Sequence, residues 1–176
     1  MPMSNLTPAY DLGKRLSGME NRIRAMETKQ SLFWLECVWR NTVDWEVPTE
    51  WTLLSPAQYD VPAGFTQVIL TATSVISANC RPATAMQDYF GSLLYATAGG
   101  QSITGASSTT YGTADGAGNS AMPMPWVSQY PSLTWIFTGL QAGQTISVYP
   151  QVISESGWTA NTGNQAYVNV SMWFLP

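Results

Sequence analysis

Few side chains in this sequence are equipped for chemistry. Asp88, Asp115 and Glu155 are the only carboxylates after Asp60, and Cys37 and Cys80 are the only thiols. Two carboxylates held across a sugar ring could hydrolyse a glycosidic bond. These three are isolated from one another in sequence, and no spacing ties any two of them together. The cysteines form no CxxC pair, and there is no histidine anywhere in the 176 residues. That removes histidine triads, histidine-ligated metals and imidazole proton shuttles together. GSLLY (91–95) and GNSAM (118–122) lack the GxSxG nucleophile elbow, and GKRLSG (13–18) follows no strand, as a phosphate loop would. The expectation is a protein that is not an enzyme and holds no metal and no cofactor, with both thiols reduced and buried.

The elements that could position anything else divide by charge. The net charge is −4, with 7 Lys+Arg against 11 Asp+Glu, and only 10% of residues are charged, compared with roughly 25% in an ordinary soluble protein. Nucleic-acid binding needs clustered cations, so it is not expected. Hydrophobic residues make up 45%, enough for a core, but no run approaches the roughly 18 apolar residues of a membrane span. The opening MPMSNLTPAY has neither the basic nor the apolar region of a signal peptide, so synthesis and assembly in a cytoplasm are expected. After Asp60 the only charges are Arg81, Asp88, Asp115 and Glu155, while glycine, serine and threonine abound. A shift this sharp predicts a helical N-terminal segment (1–36), a Trp-rich connector (37–51) and a β-domain (52–176).

Thr7-Pro8 has the form of a helix start, a capping threonine before a first-turn proline. Apolar residues then recur at heptad spacing: Leu12, Met19, Met26 and Phe33 at d, Leu16 and Ile23 at a, with Gln30 and Cys37 completing the a positions. The flanking charges test this register independently. Arg15 and Arg22 at g would meet Glu20 and Glu27 at e of a neighbouring parallel chain. The segments RLSGME (15–20) and RIRAME (22–27) also match a trimerising pattern of short coiled coils, in which the Arg reaches the Glu of the adjacent chain. The competing reading is one amphipathic helix packed on its own β-domain. It accounts for the apolar stripe but not for the matched charges.

Trp34, Trp39, Trp45 and Trp51 follow at intervals that fit neither 3.6 nor 2. They read as a collar packing the helix onto the β-domain, as a docking surface for another protein, or as a carbohydrate platform. Beyond them, strand-like runs at 51–54, 58–61, 65–72, 89–97, 133–138, 145–152 and 167–175 predict an antiparallel sandwich. In the last run Val168, Val170, Met172 and Phe174 share one face. Tyr167, Asn169, Ser171 and Trp173 share the other, a mixture that suits a subunit interface. Residues 98–125 read as a long loop with one weak strand near 108–112. If a receptor is bound, the loops 98–126 and 154–164 are expected to carry it, since loops carry recognition on a rigid scaffold. The candidate contacts are Tyr111, Trp126, Tyr130 and Trp158 for stacking on sugar rings, with Asp115, Asn161 and Asn164 as polar partners. Ordinary packing is the competing role of each aromatic.

The runs YDVPAGFTQVILTATSVIS (59–77), FTGLQAGQTISVYPQV (137–152) and GWTANTGNQAYVNVSMWFLP (157–176) resemble the C-terminal β-sandwiches of small minor tail proteins of long-tailed bacteriophages, particularly phages of actinobacteria. The coiled-coil start is similar to that of trimeric tail-fibre and receptor-binding proteins. The resemblance implies a mainly β chain: a short parallel trimeric coiled coil before a jelly-roll-like antiparallel sandwich. It further implies a homotrimer in the virion tail, at the tip or baseplate, contacting other virion proteins and a host cell-surface glycan or other receptor. Alternatives are a capsid head-decoration fibre, a secreted lectin-like module and, given so few acids and bases, least of all a glycan depolymerase.

Overall fold

Alternating burial organises most of the described residues into strands. The computed structural model describes residues 15–21, 34–79, 85–115, 126–160 and 162–176. Residues 15–21 are helical. Eleven strands follow: β1 (Trp34–Val43), β2 (Thr52–Leu53), β3 (Ala57–Asp60), β4 (Gln67–Asn79), β5 (Ala85–Ala98), β6 (Gln101–Thr104), β7 (Ser108–Asp115), β8 (Trp126–Gln129), β9 (Ser132–Phe137), β10 (Thr145–Ser154) and β11 (Gln165–Leu175). Every pairing between them is antiparallel.

The first sheet runs β1-β11-β4, with β8 and β9 sharing the far edge of β4; the second runs β10-β5, with β2 and β3 along one edge and β6 and β7 along the other. Treating each shared edge as one lane gives two sheets of four lanes. In chain order the lanes stand one-eight-three-six and two-seven-four-five. That is the double Greek-key order of a jelly roll.

Period-2 alternation builds the core. On β11, Val168, Val170, Met172 and Phe174 are buried while Tyr167, Asn169 and Trp173 face out. The buried residues form two clusters between the sheets. One is centred on Leu70, Phe137, Ile146 and Phe174, and the other on Trp45, Ile76, Phe90 and Trp158.

Gln129 of β8 ties the sheets together with polar contacts. Its amide nitrogen donates to the Phe90 carbonyl and to Thr110 Oγ1, each at 2.9 Å, and its oxygen accepts from the Ser92 hydroxyl. Gln129 is 3% exposed, so water cannot replace these bonds. Gln129→Ala would leave the Ser92 hydroxyl and the Phe90 carbonyl buried without their partner. We expect it to lower unfolding free energy by about 2–3 kcal/mol, read by urea titration.

The fold corrects several boundaries. The connector is not a connector: β1 pairs with β11 along its full length, so the sandwich begins at Trp34. Residues 34–36 are strand, which excludes Cys37 from the heptads. Cys37 is exposed, 3.6 Å from Ser171 Oγ, because it faces outward on an edge strand. The tryptophan spacing fits no period because the four rings go to different places. Trp34 and Trp39 lie on opposite faces of β1, Trp45 is in the core, and Trp51 lies over Gly91 on the second sheet. Within residues 98–125, β7 covers the strand expected near 108–112, while β6 replaces the loop expected before it. Leu12, Arg22, Ile23, Met26, Glu27, Gln30, Phe33 and Cys80 lie outside the described residues.

Candidate functional site

The outer face of the first sheet collects aromatic rings from separate parts of the chain. Residues paired across an antiparallel ladder share a face, so the register places Leu35, Trp173, Ile69 and Ile136 in one row. Cys37, Ser171, Thr71 and Thr134 form the next, and Trp39, Asn169, Thr73 and Ser132 the third. Asn41, Tyr167 and Val75 form a fourth, and Trp126 stands on the same face opposite Asn79. No charged residue belongs to any of these rows. Trp39 stacks on Tyr167 at 6.0 Å between ring centroids. A shallow hollow of about 250 Å³ lies beside them, lined by Thr73, Ser74, Val75, Tyr130, Tyr167 and Asn169.

Exposure of these rings is high. Trp39 is 66% exposed, Tyr130 71%, Trp126 52%, Trp173 43% and Tyr167 41%. Of eight tryptophans only Trp45 and Trp158 are buried. Single apolar residues at a surface need no explanation, whereas a contiguous patch marks a place of contact.

Three of the sequence-derived contacts are in the open: Tyr111 at 77% exposure on β7, and Trp126 and Tyr130 on the aromatic face. Tyr111 packs against Tyr89 across the second sheet, away from the other two. Trp158 and Asn164 are corrected. Trp158 is 2% exposed, stacked on Phe90 at 5.4 Å, and its backbone exchanges two hydrogen bonds with Val47. Asn164 is fully buried. Its side chain accepts from the Asn79 N–H at 2.7 Å and donates to the Trp45 carbonyl at 2.6 Å, pinning three segments together. Turn-forming neighbours in the sequence placed both in a loop. Both side chains are buried, so neither can meet a receptor. The Asp115 side chain and Asn161 lie outside the described residues.

Asp88, passed over by sequence reasoning except as an isolated acid, is the anchor of that loop. It is 3% exposed. Its Oδ1 accepts from the N–H of Tyr89 at 2.7 Å and of Glu155 at 2.9 Å. Its Oδ2 accepts from the Trp158 indole N–H at 2.7 Å and from the Ser156 hydroxyl. A carboxylate engaged by four donors is a structural knot with no free lone pair facing solvent. The loop turns back at Gly157, whose φ of 73° lies in the left-handed region that favours glycine.

A second opening, near 420 Å³, runs between β1 and β3 beside Trp39, Arg40, Pro56 and Gln58. Next to it Tyr59 is held above its ordinary 10.0 by burial first and the Glu36 carboxylate second, so it remains a neutral phenol in neutral solution. Among the described residues no group of three or more His, Cys, Asp or Glu could hold a metal ion, and no helix is long and apolar enough to cross a membrane.

No protein-family model and no curated protein matches this chain. Solved structures do match in part. Infectious bursal disease virus Gt strain is 7% identical with a TM-score of 0.34, covering 81% of this chain and 33% of that one. Dimeric latent PorU from Porphyromonas gingivalis is 11% identical with a TM-score of 0.39, covering 82% and 13%. Desmodium yellow mottle tymovirus is 10% identical with a TM-score of 0.29, covering 81% of each chain. This chain therefore spans less than half the length of the first two. Likeness at this level carries no argument, and the architecture stands on the strand order alone.

Proposed function

We propose that this chain is a homotrimeric structural protein of a virion, placed at the tail tip or baseplate of a bacteriophage. The observation that carries the reading is the pairing of two surfaces that a lone chain leaves in water. One is the heptad stripe, on which Leu16 and Met19 are 52% and 58% exposed. The other is the uncharged aromatic sheet face. A helix packed on its own β-domain would cover Leu16 and Met19. Self-association through the heptads covers them, with Arg15 and Glu20 at the g and e positions that face a neighbour. The resemblance to phage minor tail proteins supplies the virion setting. A jelly roll serves viral and sugar-binding proteins alike, so fold alone does not choose between them.

Receptor contact belongs to the same proposal. Tyr111, on the second sheet, is the most exposed aromatic of the candidates and offers a ring for a sugar of the host surface.

Two measurements test the reading. Sedimentation of the full chain should give three times its 19.2 kDa mass, and Glu20→Lys with Glu27→Lys should weaken that assembly by setting like charges against Arg15 and Arg22. Gold-labelled antibody against the chain should decorate tail tips in electron micrographs of particles. Label on the head would favour a decoration fibre, and no label on any particle would defeat the virion assignment.

A further inference from the structure

We infer that the outer face of the first sheet is where the copies of this chain pack against one another, so that the β-domains as well as the heptads form the trimer. The inference rests on the homotrimer proposed above and says which surface completes it. The heptads end at Phe33, and β1 starts one residue later at Trp34. In a parallel coiled coil neighbouring helix axes lie about 8–10 Å apart. In the proposed trimer, heptads continuing to Phe33 would start the three β1 strands side by side, which would bring each first sheet close to the three-fold axis. Leu35, the second residue of β1, already belongs to the outer face, in the row of Trp173.

The chemistry of the face agrees with burial between identical copies. A charge there would meet its own repeat from two neighbours, and its rows contain none. Aromatic rings commonly bury roughly 150–250 Å² each. The exposed fractions of Trp39, Trp126, Tyr130, Tyr167 and Trp173 therefore leave on the order of 500 Å² of ring surface in water, before Leu35 and Ile136 are added. One side of a stable interface contributes roughly 800 Å². The second sheet is the poorer choice. Tyr89, Tyr95 and Tyr149 are each partly buried there, and Trp51 lies over Gly91. On this assignment Trp126 and Tyr130 pass from the receptor candidates to the interface, and Tyr111 stays outside.

Asn169→Lys tests the face. Asn169 is exposed in mid-strand at its centre, so lysine there is tolerated by a single chain. Sedimentation of the full chain is expected to show at least a hundredfold weaker trimer, with the β-sheet circular dichroism unchanged. Ser102→Lys, on the outer face of the second sheet, should leave the trimer as it was. A tight Asn169→Lys trimer overturns the inference and spares the homotrimer, whereas a monomeric unmodified protein overturns both. Should Asn169→Lys fail to fold, the unmodified trimer decides by hydroxyl-radical footprinting. Trp39, Trp126 and Trp173 should label several-fold less than Trp135, which is similarly exposed at 44% but projects from the other side of the same sheet. Equal labelling overturns the inference.

Discussion

Trp158→Ala is expected to cost the domain about 3–5 kcal/mol, a large part of the roughly 5–15 kcal/mol that holds a typical domain together. The indole fills the second core cluster, stacks on Phe90 and is 2% exposed. Its removal leaves a cavity lined by rigid strands that cannot collapse into it. It also takes one donor from Asp88. Thermal unfolding followed by circular dichroism should shift down by about 10 °C or more for a chain of this length. A receptor-contact residue would behave oppositely, with stability kept and cell binding lost. An unshifted melting curve would refute the packing role.

Asp88→Asn should be nearly as damaging despite the near-identical shape, at about 2–4 kcal/mol in urea unfolding. The carboxylate presents acceptors only, and all four of its partners are donors. An amide offers one acceptor oxygen and turns its N–H groups toward donors. The Ser156 hydroxyl can rotate to accept, but the Trp158 indole N–H cannot. Combined with Trp158→Ala, the loss should be smaller than the sum of the two, because both remove the same bond. Full additivity would mean that the bond contributes nothing.

How far the sequence could be read depended on whether one residue's neighbours or a distant strand decided its place. β11 was legible because Val168, Val170, Met172 and Phe174 alternate strictly with polar or aromatic partners, and a central strand buries one whole face. β1 was not. As an edge strand it buries little, and its inward side carries Glu36 and Arg40, so no alternation of apolar and polar survives. β8, four residues long, shows its nature only through its pairing with β4. Trp158 and Asn164 sit among Ser, Gly, Thr and Asn, which locally mean turn. Their burial comes from Asp88 and Trp45, contacts made far away in the chain. The face shared by Trp39, Trp126 and Trp173 was half visible, since β11 alone announced it. Its width required the register of three more strands.

The interrupted lanes at the sandwich margins bear on how the chain escapes unwanted strand pairing in a crowded solution. An unbroken sheet margin invites any passing extended chain to dock by backbone hydrogen bonds, the first step toward fibrils. Three of the four margins here are broken. One breaks at Tyr130-Pro131 between β8 and β9, one around Gly105 between β6 and β7, and one at Ser55-Pro56 between β2 and β3. The fourth, β1, runs ten residues without a break but carries Glu36 and Arg40 on its core-facing side. A strand added there would have to lay its own side chains against those two charges, at the rim of an apolar interior. Among the described residues every margin is thus guarded against indiscriminate stacking, and the trimer proposed above would associate through the broad sheet face and the heptads instead.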